Sequence, residues 1–324
     1  MDELSPSDLK SILHSKRANI FYLEYCRVMQ KDGRVLYLTE ADKENLYFNI
    51  PIANTTVLLL GNGTSVTQAA MRMLAKAGVL VGFVGGGGTP LYMGNEVEWF
   101  TPQSEYRPTE YLQGWLSFWF DDDKRLAAGK MIQHARIEYL HRVWSKDREL
   151  KLEGFSNSDD TIVSALDVFQ ERTDGAKKPA DLLLTEAQLT KTLYKFAANV
   201  TQTDNFKRQH QSTDRANDFL NHGNYLAYGL AACCLWVLGI PHGFAVMHGK
   251  TRRGALVFDV ADLIKDAIVL PWAFVCAKEN ATEQEFRQQI LQSFTQHKSL
   301  EYMFDTVKHL ALADANGNVE CEPL

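Results

Sequence analysis

The first hundred residues alternate short apolar runs with turn-forming residues, which is a pattern typical of β-strands. The turns are marked by Lys31-Asp32-Gly33 and Ile50-Pro51, combinations that favour a reversal or a break in the chain. The pattern therefore predicts a small β-rich domain over residues 1–100. Its predicted strands include Ile20–Tyr25, Val35–Thr39, Leu46–Ile50 and Thr56–Leu60.

A glycine-containing turn, Gly61-Asn62-Gly63, ends the last of these runs. Thr64 or Ser65 is placed to cap a helix over Val66–Ala77, and Val79–Val84 returns as a strand. This order resembles a nucleotide-binding unit, but the third glycine and the acidic residue about twenty positions later are both missing. The chain also contains no GxxxxGK[ST] motif. The sequence therefore disfavours a nucleotide site.

Beyond a proline-containing stretch at 101–108, the apolar residues change to helical spacing. We interpret 101–108 as a linker and 109–324 as a larger all-α domain. The sequence thus predicts an α+β two-domain fold, with the β-rich domain first. The predicted helices include Tyr111–Trp119, Lys124–Trp144, Leu182–Val200, an apolar helix that ends near Ile240, and helices within Thr282–Leu312.

The stretch from Gly239 to Asp266 concentrates potential metal ligands and cations. It runs through apolar residues to His248, crosses a basic loop, and enters a helical pattern that carries Asp259 and Asp262. Because a helix places residues i and i+3 on one face, the two aspartates should point the same way, with Asp266 one turn further on. Carboxylates with an imidazole suit Mn²⁺ or Mg²⁺, although such an aspartate pair also fits a solvated helix face. The cations of the loop are Lys250, Arg252 and Arg253.

Glu186 falls on the apolar face of the predicted helix Leu182–Val200. A bare carboxylate is costly to bury, so Glu186 must be paired, protonated or bound to a metal. Alternatively, it lies at the edge of the apolar face, where it reaches water or bonds to a neighbouring lysine. The apolar face consists of Leu182, Leu189, Leu193, Phe196 and Val200.

The charge of the chain is unevenly distributed. The formal net charge of −6 over 324 residues gives no global indication of nucleic-acid binding. Between Glu186 and Lys265, however, nine basic side chains accompany six acidic ones, and three of those acids are the potential metal ligands. Such a cationic segment is what a polyanion site requires. The predicted phosphate contacts are Lys207, Arg208, Lys250, Arg252 and Arg253.

Composition and cysteine usage indicate an intracellular globular protein. The chain is 45% apolar and 23% charged, which is enough apolar content for two domains with proper cores. Its five cysteines show no CxxC spacing, and Cys233 and Cys234 read as small core residues, as expected in a reducing compartment. The N-terminus is polar, and the longest uncharged apolar run, Tyr225–Ile240, is short for a bilayer span. We therefore expect a cytoplasmic protein with no membrane segment.

The order of these motifs resembles the Cas-one family, the CRISPR-associated integrases that capture new spacers. The match covers nearly the whole chain, including the β-rich first hundred residues. Asp262 stands where many relatives carry glutamate, and in this it is similar to the I-F subtype. The residues that carry the resemblance are Glu186; Lys207 and Arg208; Leu220-Asn221 through Tyr225; Gly239-Ile240-Pro241; His248; Arg252 and Arg253; and Asp259 through Asp262.

The resemblance implies a metal-dependent DNA endonuclease and integrase that inserts captured foreign DNA as new spacers into a CRISPR array. In that reaction a 3′-hydroxyl attacks a phosphodiester. The resemblance also implies that Glu186, His248 and Asp262 bind Mg²⁺ or Mn²⁺. Asp259 would lie beside the ion and help to hold the metal or a water.

The resemblance further implies a homodimer paired through its N-terminal domains, a partner from the Cas-two family, and double-stranded and branched DNA as substrates. In the I-F branch, that partner is fused to a nuclease-helicase. The alternative hypothesis is a non-catalytic nucleic-acid-binding scaffold. In a scaffold, Glu186 and the aspartate pair would merely balance Arg252 and Arg253.

Overall fold

Contacts between Cα atoms divide the chain into two compact units, Met1–Tyr106 and Arg107–Leu324. The predicted linker at 101–108 lies outside the described residues. The computed structural model describes residues 19–41, 44–83, 98–100, 109–203, 206–209, 214–249 and 254–313.

The first unit consists of two four-stranded sheets and one helix among its described residues. The strands are β1 (Asn19–Leu23), β2 (Arg27–Lys31), β3 (Arg34–Ala41), β4 (Glu44–Ile50), β5 (Thr55–Leu60), β6 (Ser65–Val66), β7 (Leu80–Phe83) and β8 (Glu98–Phe100), and the helix is α1 (Gln68–Lys76).

One sheet has the order β1-β5-β7-β8, in which β5 pairs in parallel with both β1 and β7, and β8 is antiparallel to β7. Every residue of β5 is buried, because a central strand of parallel neighbours has both of its faces covered. The other sheet has the order β4-β3-β2-β6. Its β2–β3 hairpin turns at Asp32 and Gly33, whose φ angles of 50° and 72° explain the turn predicted there.

The sequence analysis missed three strands of this unit, β2, β6 and β8, and misplaced one helix start. Ser65–Val66 does not begin the helix but pairs with β2 as β6. The predicted caps Thr64 and Ser65 are therefore wrong: Thr64 Oγ1 donates to the carbonyl of Leu23 over 3.1 Å. Thr67 is the N-cap, and its hydroxyl accepts from the backbone N–H of Ala70.

The described residues of the second unit are mostly helical and confirm the predicted fold class of a β-rich region followed by a helical domain. The helices are α2 (Glu110–Trp119), α3 (Asp122–Lys146), α4 (Arg148–Leu152), α5 (Asp160–Gly175), α6 (Pro179–Val200), α7 (Arg215–Leu238), α8 (Ala255–Ile264), a π turn (Lys265–Val269), α9 (Leu270–Lys278), α10 (Glu283–Gln296) and α11 (Ser299–Ala313).

The core of this unit is built on α3, α7 and α8. The apolar helix α7 ends at Gly239, whose φ of 73° gives the left-handed conformation that stops a helix. α8 packs against both α3 and α7, and α6 contacts α3. Cys233 and Cys234 are fully buried free thiols, as predicted. Among the helices that the structure describes, none combines the length and apolar character needed to cross a bilayer.

Candidate metal centre

Three of the predicted site residues come together in the helical unit. The ligand atoms of Glu186, His248 and Asp262 lie within 4.8 Å of one another. Glu186 comes from α6, His248 from the segment between α7 and α8, and Asp262 from α8. The side chains of Glu186 and His248 are each 18% exposed, whereas that of Asp262 is 1% exposed. The cluster is therefore closed beneath Asp262 and accessible at its other two members.

Asp262 has the properties expected of a metal ligand. The ammonium of Lys265 forms a close ion pair with Oδ1, and Oδ2 has no hydrogen-bond partner among the described residues. A buried carboxylate with unfilled acceptor sites is costly, so it needs a further cation. Burial alone would raise the pKa of Asp262, but Lys265 and Arg136 outweigh it and hold that pKa below its usual value. Asp262 is thus an ionised oxygen donor.

Glu186 is held by charged and polar groups from α3. Arg136 Nη1 lies 3.5 Å from Oε1, and the side-chain amide of Gln133 donates to Oε2 over 3.4 Å. Burial raises the pKa of the Glu186 carboxyl, and the negative charge of Asp262 raises it further. Two carboxylates and an imidazole form a donor set that fits Mg²⁺ or Mn²⁺, and a cation at this point would relieve the repulsion between the carboxylates.

Arg136 anchors this side of the cluster through a buried ion pair. Its Nε donates to Asp266 Oδ2 over 2.7 Å, and Nη2 donates to the hydroxyl of Thr190 over 3.2 Å. Asp266 therefore pairs with Arg136 and is not a member of the Glu186, His248 and Asp262 cluster. The π turn that begins at Lys265 changes the rotation per residue there, which helical periodicity could not predict.

Asp259 has a different environment from Asp262, although both are buried in α8. Its Oδ2 accepts from the backbone N–H groups of Val246 and Met247 over 2.7 and 3.2 Å. Its Oδ1 accepts from the backbone N–H of His248 over 3.1 Å and lies 2.6 Å from His248 Nδ1. With Nδ1 engaged in this way, Nε2 is the ring nitrogen left to bind a metal.

The same contact sets the charge of the imidazole. Burial alone would lower the pKa of His248, but the hydrogen bond that its ring donates to Asp259, together with the negative charge of Asp259, raises that pKa above its usual value. Asp262 and Glu186 add to the effect. A metal that binds the imidazole must therefore compete with a proton up to a higher pH than at an isolated histidine.

The predicted phosphate contacts are only partly described. Lys207 is exposed. Arg208 donates to the side-chain oxygens of Asn217 and Asn221 over 2.8 and 2.6 Å, which ties its segment to the first turns of α7. The predicted contacts that lie outside the described residues are Lys250, Arg252 and Arg253.

Sequence reasoning missed Gln133 and Arg136, which lie about fifty residues before Glu186. The one available signal was a glutamine and an arginine within the long amphipathic pattern of α3. Gln133 is fully buried and also donates to the sulfur of Met247 over 3.0 Å, so it touches both Glu186 and the neighbour of His248.

Comparison with known proteins identifies the family. A model of the family described as "CRISPR associated protein Cas1" matches residues 20–303. The chain is 55% identical over 317 residues to a CRISPR-associated endonuclease Cas1 of Pseudomonas aeruginosa (strain UCBPP-PA14), covering 96% of this chain and 98% of that protein.

Two solved structures share the fold. A crystal structure of a TtCas1–DNA complex matches with a TM-score of 0.62 and 22% identity, over 90% of this chain and 91% of the other. A casposase bound to its integration product matches with a TM-score of 0.68 and 14% identity, over 93% and 92%. Because the family model spans most of the sequence and a relative is more than half identical over nearly its full length, this chain belongs to the CRISPR associated protein Cas1 family.

Proposed function

We propose that this chain is a divalent-metal-dependent DNA endonuclease and integrase of CRISPR adaptation, which inserts captured foreign DNA into a CRISPR array. One observation carries the proposal. In a member of the Cas1 family, one ligand atom each of Glu186, His248 and Asp262 lie within 4.8 Å of one another, and Asp262 is a buried carboxylate whose Oδ2 has no hydrogen-bond partner among the described residues. The 55% identical relative, which is named an endonuclease, supports the same activity.

In this proposal, Glu186, His248 and Asp262 hold Mg²⁺ or Mn²⁺. When bound, the ion polarises a phosphoryl oxygen and stabilises the leaving oxyanion of a phosphodiester, whether the nucleophile is a 3′-hydroxyl or water. Asp259 orients the imidazole and stabilises its correct tautomer. Lys265 neutralises part of the charge of Asp262, which limits the repulsion between the two carboxylates.

The shape of the centre favours a substrate that lies over it rather than one that enters it. A recess of about 70 Å³ adjoins Glu186 and is lined by Arg136, Tyr194, Asn224 and Lys265, among others. Such a volume holds a few waters, whereas pockets for ligands of nucleotide size occupy about 300 Å³ or more. We infer that the DNA backbone crosses the exposed edges of Glu186 and His248.

The proposed phosphate contacts are the five cations predicted from the sequence, which lie before α7 and before α8. Arg208 also anchors its own segment through two asparagines, whereas the side chain of Lys207 is exposed. Replacing Arg252 and Arg253 together by alanine should weaken DNA binding and flatten its salt dependence by about one to two units of slope. An unchanged slope would place those arginines elsewhere. The five cations are Lys207, Arg208, Lys250, Arg252 and Arg253.

The non-catalytic scaffold is less well supported. It requires the acidic residues to serve only as counter-charges for Arg252 and Arg253. Asp262 instead pairs with Lys265, and Glu186 lies against Arg136, so both have other cations nearby. Both carboxylate oxygens of Asp259 accept hydrogen bonds from backbone N–H groups of the segment that ends in His248.

A strand-transfer assay tests the proposal. The full chain is incubated with branched DNA in Mn²⁺, Mg²⁺ or EDTA, and we expect cleavage and strand transfer only with a metal. Asp262→Ala should retain DNA but lose both reactions. The matched control is Asp305→Ala, which removes an exposed aspartate on α11 and should react normally. DNA binding without any reaction in all three conditions would support the scaffold instead.

We extend the proposal to assembly, which rests on the resemblance to the I-F branch. The protein would act in the cytoplasm as a homodimer paired through its N-terminal units, together with a Cas-two family protein that is fused to a nuclease-helicase. Light scattering during gel filtration should give twice the mass of the 324-residue chain. A monomeric mass across the micromolar range would reject the dimer.

A further inference from the structure

The segment that carries His248 is fixed from one side by two tryptophans of α2. Trp115 Nε1 donates to the carbonyl of Phe244 over 3.0 Å, and Trp119 Nε1 donates to the carbonyl of Ala245 over 2.8 Å. Trp115 and Trp119 are four residues apart, so they lie one above the other on one helix face. Their indole N–H groups therefore meet two successive carbonyls.

The same segment is fixed from the other side by Asp259. Its carboxylate accepts from the backbone N–H groups of Val246, Met247 and His248. Residues 244–248 form no helix or strand, so their buried backbone groups depend on such outside partners. The indoles hold the carbonyls at the start of the segment, and Asp259 holds the amides at its end.

The helix that presents the tryptophans is itself tightly located. A side-chain carbon at Gly114 would lie 1.8 Å from the carbonyl oxygen of Ala311, so α2 and α11 approach as closely as a glycine allows. The guanidinium of Arg125 lies 5.8 Å from the Trp119 ring and donates to the Trp119 carbonyl over 3.0 Å. Phe244 packs edge-on against the same ring at 5.0 Å. The Trp119 indole is therefore held in a defined place.

We propose that Trp115 and Trp119 are positioning residues for His248, which set the place of its imidazole without touching it. The inference rests on the proposed metal-binding function. A metal tolerates little displacement of a ligand, and outer partners that orient ligands affect metal affinity by about 10- to 100-fold when they are removed. Here the two indoles fix the backbone at residues 244 and 245, and the chain through residue 247 then limits where the ligand His248 can lie.

The test uses Trp119→Phe in the full-length protein, because phenylalanine keeps an aromatic ring near Phe244 but has no N–H to donate; the smaller ring volume is matched in the control below. We expect Mn²⁺ affinity, measured by electron paramagnetic resonance, to fall about tenfold. Hydrogen exchange of the backbone amides of Val246, Met247 and His248, measured without metal, should become about fivefold faster, the factor of one net hydrogen bond. Trp115→Phe should act in the same direction.

The matched control is Trp144→Phe. Trp144 of α3 also donates its indole N–H to a carbonyl over 3.0 Å, but the acceptor is Ala267 in the π turn and not a residue of the His248 segment. The Trp144→Phe variant should lose at least as much thermal stability as Trp119→Phe. Its Mn²⁺ affinity and the amide exchange of residues 246–248 should stay as in the wild type. A general loss of stability would instead affect both variants alike.

The possible results separate this inference from the proposed function. If the wild type binds Mn²⁺ and Trp119→Phe changes neither affinity nor exchange, the positioning role is wrong and the metal site stands. If the wild type binds no Mn²⁺, the proposed function fails, and the exchange rates alone then decide whether the tryptophans order the segment. Equal changes in Trp144→Phe would also overturn the inference.

Discussion

The two accessible ligands of the centre are held by different physical means. His248 is fixed by Asp259, whose carboxylate contacts both the backbone N–H and the ring Nδ1 of His248. Glu186 is fixed by Arg136, a buried cation, and by a longer hydrogen bond from Gln133. The first arrangement fixes the position of His248 and raises the pKa of its imidazole. The second supplies a buried cation that opposes the rise in the pKa of Glu186, and this difference predicts distinct consequences of mutation on the two sides.

The largest effect is expected on the Glu186 side. Arg136→Met would leave Asp266 buried without its cation, and removing one partner of a buried ion pair costs about 3–5 kcal/mol in the free energy of unfolding. Urea denaturation measures this loss. Replacing both partners, as Arg136→Met with Asp266→Leu, should recover most of the stability but not strand transfer. A loss below about 1 kcal/mol in the single variant would contradict the ionic account.

The next effect distinguishes the two aspartates of α8. Asp262→Asn removes a ligand, so Mn²⁺ affinity should fall by at least about 100-fold. That is the largest loss typical of a residue that only orients a ligand. Asp259→Asn keeps all three ligands and loses only the orientation of His248, so about a tenfold loss is expected. Calorimetric titration with Mn²⁺ compares them. A greater loss for Asp259→Asn would make Asp259 the ligand and Asp262 its support.

A smaller effect concerns pH. The pKa values of Glu186 and His248 are both raised, so each holds a proton to higher pH than an isolated side chain. Metal binding must release these protons, and Mn²⁺ affinity should therefore rise with pH through and above the usual histidine range, by up to about tenfold per unit for each proton released.

Asp259→Asn sharpens the pH comparison. It removes the charge that raises the pKa of His248, so the rise in affinity should move to lower pH although the maximum is weaker. If the Mn²⁺ affinity of the wild type did not change between pH 5 and about 8, the raised pKa values of Glu186 and His248 would be contradicted.

Much of this molecule could be predicted from local sequence patterns. The apolar face of α6 contains Glu186, which is partly buried, as the pattern allowed. The Gly239 turn ends α7, and the helical pattern that carries Asp259 and Asp262 corresponds to α8. The missed features depend on contacts between distant elements. Arg136 reaches Asp266 across 130 residues, and Trp119 reaches Ala245 across 126. Local periodicity carries no information on either contact. It also does not reveal the π turn that follows α8 and contains Asp266.

The error at the start of α1 has a similar cause. Thr64 and Thr67 are both good helix caps by type. The pairing of β6 with β2 decides between them, because it commits Ser65 and Val66 to a strand. A tertiary contact thus overrides a local preference.

The central claim is that one ion is shared by a helix glutamate, a loop imidazole and a buried aspartate. Anomalous diffraction from crystals soaked in Mn²⁺ tests it most directly. We predict a single strong peak about 2.0–2.5 Å from a carboxylate oxygen of Glu186, from His248 Nε2 and from a carboxylate oxygen of Asp262. A well-ordered cluster without a peak, or with Mn²⁺ bound at other residues, would contradict the account.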